Sequence, residues 1–279
     1  MSLPPPDTLT PSKLTKFTSC PLAFRFSYID RLPEAPSPHL VRGTLVHKAL
    51  QILVASGRPE SRTPERARTS FAEAWDSLEH DDIAELDLSP DAAASFRAEA
   101  TDLVERYFAV EDPRAVHAIG VELDLRVAVD GIEMRGIIDR LDYLPGGDLV
   151  VVDYKTGRAP RPEHARSRMV GVQFYALLCE QMLGRLPREI RLVYLREPLV
   201  VVESPTSQTM RGIRQRATAV WRAIERACER DDFRPSPSPL CKSCSFQRYC
   251  PAFGGNPDEA RAVAGTSVRA AVGAGAAAD

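Results

Sequence analysis

The chain has 279 residues, with 36 lysines and arginines against 38 aspartates and glutamates, a formal net charge of −2. That length can bury a sizeable core, and the near-neutral total excludes reading a polyanionic partner from net charge alone. No apolar run approaches the roughly 18 residues of a membrane-spanning helix, and MSLPPPDTLT has neither a charged nor an apolar leader segment, so a soluble, cytoplasmic protein is expected.

Charge is segregated along the chain. Residues 60–112 hold 15 acids and 5 bases, whereas residues 155–168 hold 5 bases and 1 acid, so a basic face can coexist with a slightly negative total. Residues 1–10 are proline-rich and expected to be flexible. Thr10 or Ser12 can cap a short helix, PSKLTKFTS, with Pro11 in its first turn. CPLAFRFSYIDRLP follows, and most of its aromatics, with Phe17, are expected in the core. GTLVHKALQILVAS (43–56), 63–79 and 90–110 place apolar residues at helical spacing, and EHDDIAELDLSP reads as an acidic connection. Residues 57–112 therefore form a helical insertion.

From 115 the period changes to two. AVHAIGVELDLRVAV alternates, Asp130-Gly131 turns the chain, IEMRGIIDRLDYL alternates again, Pro145-Gly146-Gly147 turns it back, and DLVVVDYK (148–155) follows. Two successive hairpins predict three antiparallel strands. A helix is predicted over 167–184, strands over 188–195 and in LVVVES, and a long basic helix over 207–230. FRPSPSP links to the last cysteines, and the Ala/Gly-rich tail, 254–279, is expected to be disordered. The expected organisation is one α/β domain over 11–253, a mixed sheet flanked by helices. Its core occupies 114–206, with a basic helix and cysteine segment at 207–253.

Two acids and a lysine stand out. Asp139 follows two isoleucines inside the second strand, and Asp153 ends the third strand two residues before Lys155, so the last two project to one face. If these strands pair, Asp139 and Asp153 approach closely, and two carboxylates repel unless a cation lies between them. Mg²⁺ suits such a pair. Lys155 can then hold a water or stabilise charge developing on a phosphate, a combination that hydrolyses phosphodiesters. Six cysteines are present. Cys241, Cys244 and Cys250 form C-x₂-C-x₅-C, with Cys20 as a distant fourth, while Cys179 and Cys228 lie within predicted helices as small buried hydrophobes. Spacing alone leaves zinc and an iron–sulfur cluster in competition.

GTLVHKAL, GIIDRLDY and VVDYKTG, in this order, resemble the PD-(D/E)xK nuclease superfamily, in particular its RecB-like exonuclease branch, over about 12–252. The resemblance implies a restriction-endonuclease-like fold and a Mg²⁺- or Mn²⁺-dependent deoxyribonuclease. His47, Asp139, Asp153 and Tyr154 would be metal ligands and Lys155 catalytic, with Glu122 matching a glutamate often found on the preceding strand. A family motif of glutamine followed four residues later by tyrosine is only half present. Gln173 stands two residues before Tyr175, and on a helix those two cannot share a face. The cysteine bracket is similar to that of iron–sulfur nucleases such as the AddB nuclease domain and CRISPR-associated nucleases. There Cys20, Cys241, Cys244 and Cys250 would hold a 4Fe-4S cluster that staples the chain ends.

What the resemblance implies is phosphodiester hydrolysis in DNA repair, recombination or processing, as an exonuclease on single-stranded DNA ends. Arg42, Arg158 and Arg161 are candidates for phosphate contacts. The alternative is a nucleic-acid-binding or structural subunit with a degenerate site. The sequence carries no G-x-x-x-x-G-K-[ST] loop, so unwinding would need a helicase partner.

Overall fold

A computed structural model describes residues 2–34, 36–55, 58–78, 82–160, 162–261 and 263, with side chains of 162–168 and 170 left aside. The chain divides into two compact units: Met1–Ala35, Asp130–Glu133 and Gln215–Asp279 form one, and Pro36–Val129 with Met134–Arg214 the other.

The larger unit carries the sheet. Strands β1 (Ala118–Val129), β2 (Ile132–Tyr143), β3 (Leu149–Lys155), β4 (Glu189–Tyr194) and β5 (Leu199–Glu203) lie side by side in chain order. β2 and β3 are antiparallel, β3 and β4 parallel, and β4 and β5 antiparallel, so the sheet is mixed. The tight turn before β2 follows from its residues: Asp130 and Gly131 both have positive φ, 53° and 78°, as a two-residue hairpin turn requires. β3 reads LVVVDYK because it is central; residues 149–154 are all buried, and a strand covered on both faces needs a continuous apolar run. Joining β3 to the parallel β4 demands a crossover, which helix α6 (Pro162–Leu183) supplies.

Before the sheet come α3 (Pro38–Ala55), α4 (Pro64–Leu78) and α5 (Pro90–Arg106). Their apolar faces form one core with Val150, Val152 and Tyr154 of β3 and Val193 of β4. Ser89 starts α5 by accepting the Ala92 N–H, with Pro90 in its first turn. Arg62, buried at 6% exposure, ties this helical region together by donating to the carbonyls of Val54, Pro113 and Val116.

In the smaller unit, α1 (Pro11–Ser19) is capped by Thr10, whose side chain accepts from Lys13 N–H, and α2 is Pro21–Phe24. The expectation of a flexible N-terminus is corrected here. Leu3 N–H donates to Cys228 O and Leu9 N–H to Glu133 O, and Leu9 is fully buried, so this stretch is held by backbone hydrogen bonds and an apolar anchor. Phe24 and Phe26 are core residues. The basic helix spans Ser207–Arg230, as its period requires. Of the expected disordered tail, 264–279 lies outside the described residues.

Candidate metal centre and active site

Three elements of the larger unit converge on one point. α3 brings His47, β1 brings Glu122 and β2 brings Asp139, and one ligand atom of each lies within 4.8 Å of the other two. Nδ1 of His47 is 3.4 Å from Oδ1 of Asp139. The other carboxylate oxygen, Oδ2, accepts the backbone N–H of Tyr154 at 2.7 Å. α3 runs close to the segment after β3: a Cβ added at Gly43 would sit 3.5 Å from Thr156 Oγ1.

The position of Asp139 follows from strand register. Arg140 pairs with Val152 across β2 and β3, and one further step sets Asp139 opposite Asp153, so both side chains leave the sheet on the same side. Asp153 is buried at 5% exposure and ion-paired with Lys155. It stands beside the trio rather than within it.

Glu122 arrives from β1. Along β1, Asp124, Arg126 and Ala128 are exposed while Leu125 and Val129 are buried, and strict alternation would put Glu122 with the exposed set. Its φ is +47°, a left-handed conformation that glutamate rarely adopts. Alternation already sets Glu122 on the face of Asp124, which pairs with Arg135 on the β2 face that Asp139 shares, so the left-handed residue is a local break in β1 at the site.

Electrostatically the site holds more negative charge than it can accommodate by itself. Burial raises the Asp153 carboxyl; Lys155 opposes this and Asp139 adds to it, with the net position pushed up to about 6. Glu122 is raised by burial and by Asp139. Burial would lower His47, yet its contact with Asp139 and the nearby Asp153 and Glu122 outweigh it, and the imidazole titrates above its ordinary value. For Lys155 burial likewise opposes the charge, and Asp153 more than restores it. One imidazole nitrogen and two carboxylates, with a third carboxylate adjacent, make a donor set that fits Mg²⁺ or Mn²⁺.

Other expected residues divide. The Tyr175 phenol is raised first by burial and then by the charges of Asp153, Asp139 and Glu122, and its ring lies against Gly136 of β2. Gly136 permits this approach, since a Cβ there would come within 2.9 Å of Tyr175 Cε1. Gln173 instead donates to Glu203 at 2.7 Å, so it is committed to β5. Tyr154 turns its phenol away, 2.6 Å from Arg140 Nη1; a metal ligand from this residue has to be a main-chain atom. Arg42, expected at phosphates, is buried at 7% exposure, with Nη1 on Glu99 at 2.6 Å and Nη2 on His39 at 2.8 Å. Its charge is spent inside the helical region, which corrects that assignment. Arg158 is exposed, and Arg161 lies outside the described residues.

The sequence reading missed Arg140. It is fully buried and contacts Tyr107, Glu111, Asp142 and Tyr154. The signal was available: Arg140 and Asp142 share a strand face with buried Ile138 and lie opposite Val152 and Val150.

In the smaller unit, Cys20, Cys241, Cys244 and Cys250 all line one recess, with Leu22, Phe26 and Phe246. Among the described residues, no three of them bring their sulfurs within 4.8 Å of one another. A single tetrahedral zinc would need sulfurs roughly 3.8 Å apart, given Zn–S bonds of ~2.3 Å, so the cysteines as placed do not fit one ion. Cys179 and Cys228 are buried and have thiols pushed up by burial, to about 12 and about 11.

The sequence profile of the PD-(D/E)XK nuclease superfamily matches residues 8–251. The Gene 69 protein of Mycobacterium phage L5 is 24% identical over 287 residues, covering 87% of this chain and 95% of its own length. The Gene 69 protein of Mycobacterium phage D29 is 25% identical over 271 residues, covering 87% and 96%. A crystal structure from Eubacterium rectale, assigned provisionally as an exonuclease, superposes with a TM-score of 0.55 at 10% identity, covering 87% of this chain and 88% of that one. At that identity the likeness speaks for the fold alone.

Proposed function

The chain belongs to the PD-(D/E)XK nuclease superfamily, and from that premise we propose that it is a Mg²⁺- or Mn²⁺-dependent deoxyribonuclease of RecB type. Its substrate is single-stranded DNA ends, in repair, recombination or processing. The observation that carries this reading is the His47–Glu122–Asp139 trio with the Asp153–Lys155 pair beside it.

When bound, a divalent ion supplies an activated water and neutralises charge on the phosphate. The protein's own residues do the rest. His47 would contribute an imidazole nitrogen beside Asp139, and Glu122 and Asp139 each turn one carboxylate oxygen to the same point. Asp153 pairs with Lys155 and favours its charged form at a partly exposed position. From there the ammonium can orient the attacking water or stabilise charge on the scissile phosphate. Hydrolysis by this route leaves a 5′-phosphate.

The four cysteines belong to the same reading as ligands of a 4Fe-4S cluster in the smaller unit. Their place around one shared recess supports it. Closing a loop of over 200 residues through metal–thiolate bonds would remove much chain entropy from the unfolded state. Helicase association would supply the unwinding that this chain's motifs do not.

The experiment is incubation with end-labelled single-stranded DNA and Mg²⁺, with iron and sulfide counts and an anaerobic absorption spectrum of the same preparation. Wild-type protein should cut and should absorb broadly near ~400 nm; Asp139→Asn and Lys155→Ala should bind DNA without cutting. Cluster-replete wild type that never cuts DNA overturns the enzyme reading, and colourless protein with one zinc overturns the cluster.

A further inference from the structure

Behind the candidate metal centre, on the core side of the sheet, lies a guanidinium without access to water. Arg140 follows Asp139 on β2 and points the opposite way, as alternation along a strand demands. Its Nη1 lies 2.6 Å from Tyr154 Oη, 2.8 Å from Tyr107 Oη and 2.5 Å from Glu111 Oε1. Its Nη2 reaches Asp142 Oδ2 at 2.9 Å and Glu111 Oε2 at 3.1 Å. Such burial strips the guanidinium of its hydration and persists only where its partners are in place. A core staple alone would account for Glu111 and Asp142. It does not account for the two phenols, and one of these belongs to the residue between Asp153 and Lys155.

Tyr154 touches two of the three residues of the trio, Asp139 and His47. Its backbone N–H holds Oδ2 of Asp139, which leaves Oδ1 to face His47. Its ring meets the His47 ring edge-on, centroids 6.1 Å apart at 84°, and the Tyr107 ring in the same manner at 5.7 Å. Its phenol is the end that Arg140 grips.

We propose that Arg140 is a positioning residue for the metal centre: by anchoring the Tyr154 phenol it fixes the amide that orients Asp139 and the ring that backs His47. This rests on the metal-dependent reading above. Groups that orient metal ligands from behind typically change metal affinity or activity by ~10–100-fold when lost.

The test is Tyr154→Phe, which keeps the ring and removes the hydroxyl that Arg140 holds. The control is Arg62→Met, which removes a buried arginine anchor elsewhere in the same unit. Mn²⁺ affinity is measured by calorimetry on the full-length protein, alongside thermal stability, and kcat and KM on labelled DNA. Tyr154→Phe should bind Mn²⁺ about tenfold more weakly and lose kcat with KM for DNA unchanged. Arg62→Met should lose thermal stability with Mn²⁺ affinity intact. Wild-type Mn²⁺ affinity in Tyr154→Phe, or an equal loss in Arg62→Met, overturns the positioning role while leaving the nuclease reading standing. A wild-type protein that binds no Mn²⁺, or binds it no better than Asp139→Asn, overturns both.

Discussion

Oδ1 of Asp139 stands 3.4 Å from Nδ1 of His47, while its other oxygen is held by a backbone amide. A carboxylate so divided cannot rotate away, and it presents one lone-pair-bearing edge to the point where His47 and Glu122 also arrive. The fold thus concentrates acids where they are unfavourable without a cation, and measurable consequences follow.

Asp153→Asn should stabilise the metal-free protein at neutral pH while abolishing cleavage. Burial pushes the folded-state carboxyl up to about 6, above its unfolded value near 3.8. The folded state therefore binds the extra proton between those values. Stability from this group increases as pH falls through about 6 and levels off below the unfolded value. At pH 7.5 the ionised group is a burden that asparagine removes. If the relief is worth about 1 kcal/mol, Tm rises by ~2–4 °C for a chain of this size. A calorimetric scan of chelator-treated wild type and variant checks this, and an unchanged or lower Tm for the variant contradicts it.

Glu122 offers a separate handle, because its backbone is strained. At φ +47° asparagine is better tolerated than glutamine. Glu122→Asn and Glu122→Gln should both weaken Mg²⁺ dependence of cleavage. Asparagine should leave the protein more stable than glutamine by about 0.5–1 kcal/mol. Denaturant titrations of the two variants measure the difference; equal stability would show that the left-handed conformation carries no strain.

The two described arginines nominated for phosphate contacts should separate cleanly. Arg42→Ala breaks the Glu99 and His39 contacts and should lower Tm while leaving DNA affinity and its salt dependence unchanged. Arg158→Ala, at an exposed position after the catalytic strand, should weaken binding. It should also reduce the slope of log affinity against log salt by roughly 0.7, the value for one single-strand phosphate contact. Fluorescence anisotropy at several salt concentrations measures both.

Much of this molecule is legible in the chain itself. Periods of two and 3.6 are local, so the strands over 118–129 and 132–143 and the helix over 207–230 appear where their apolar residues recur. The short Pro145-Gly146-Gly147 turn binds β2 to β3 closely enough that Asp139 opposite Asp153 is a consequence of counting. Gln173 hydrogen-bonds Glu203 of β5, while the ring of Tyr175, two residues on in the same helix, lies against Gly136 of β2.

What only the tertiary structure decided is which of these groups share charge. Sequence order marks His47, Glu122, Asp139 and Asp153 as acids and a histidine on separate elements. It does not say that the first three converge while Asp153 is held by Lys155. Nor does it say that the backbone at Glu122 turns left-handed where its carboxylate meets the other two. Arg42 and Arg140 both end up buried, because each meets a carboxylate distant in the chain, Glu99 and Glu111, that only folding brings alongside. Local periodicity decides where a side chain leaves the backbone; the desolvation and pairing that decide its role depend on neighbours distant in the chain.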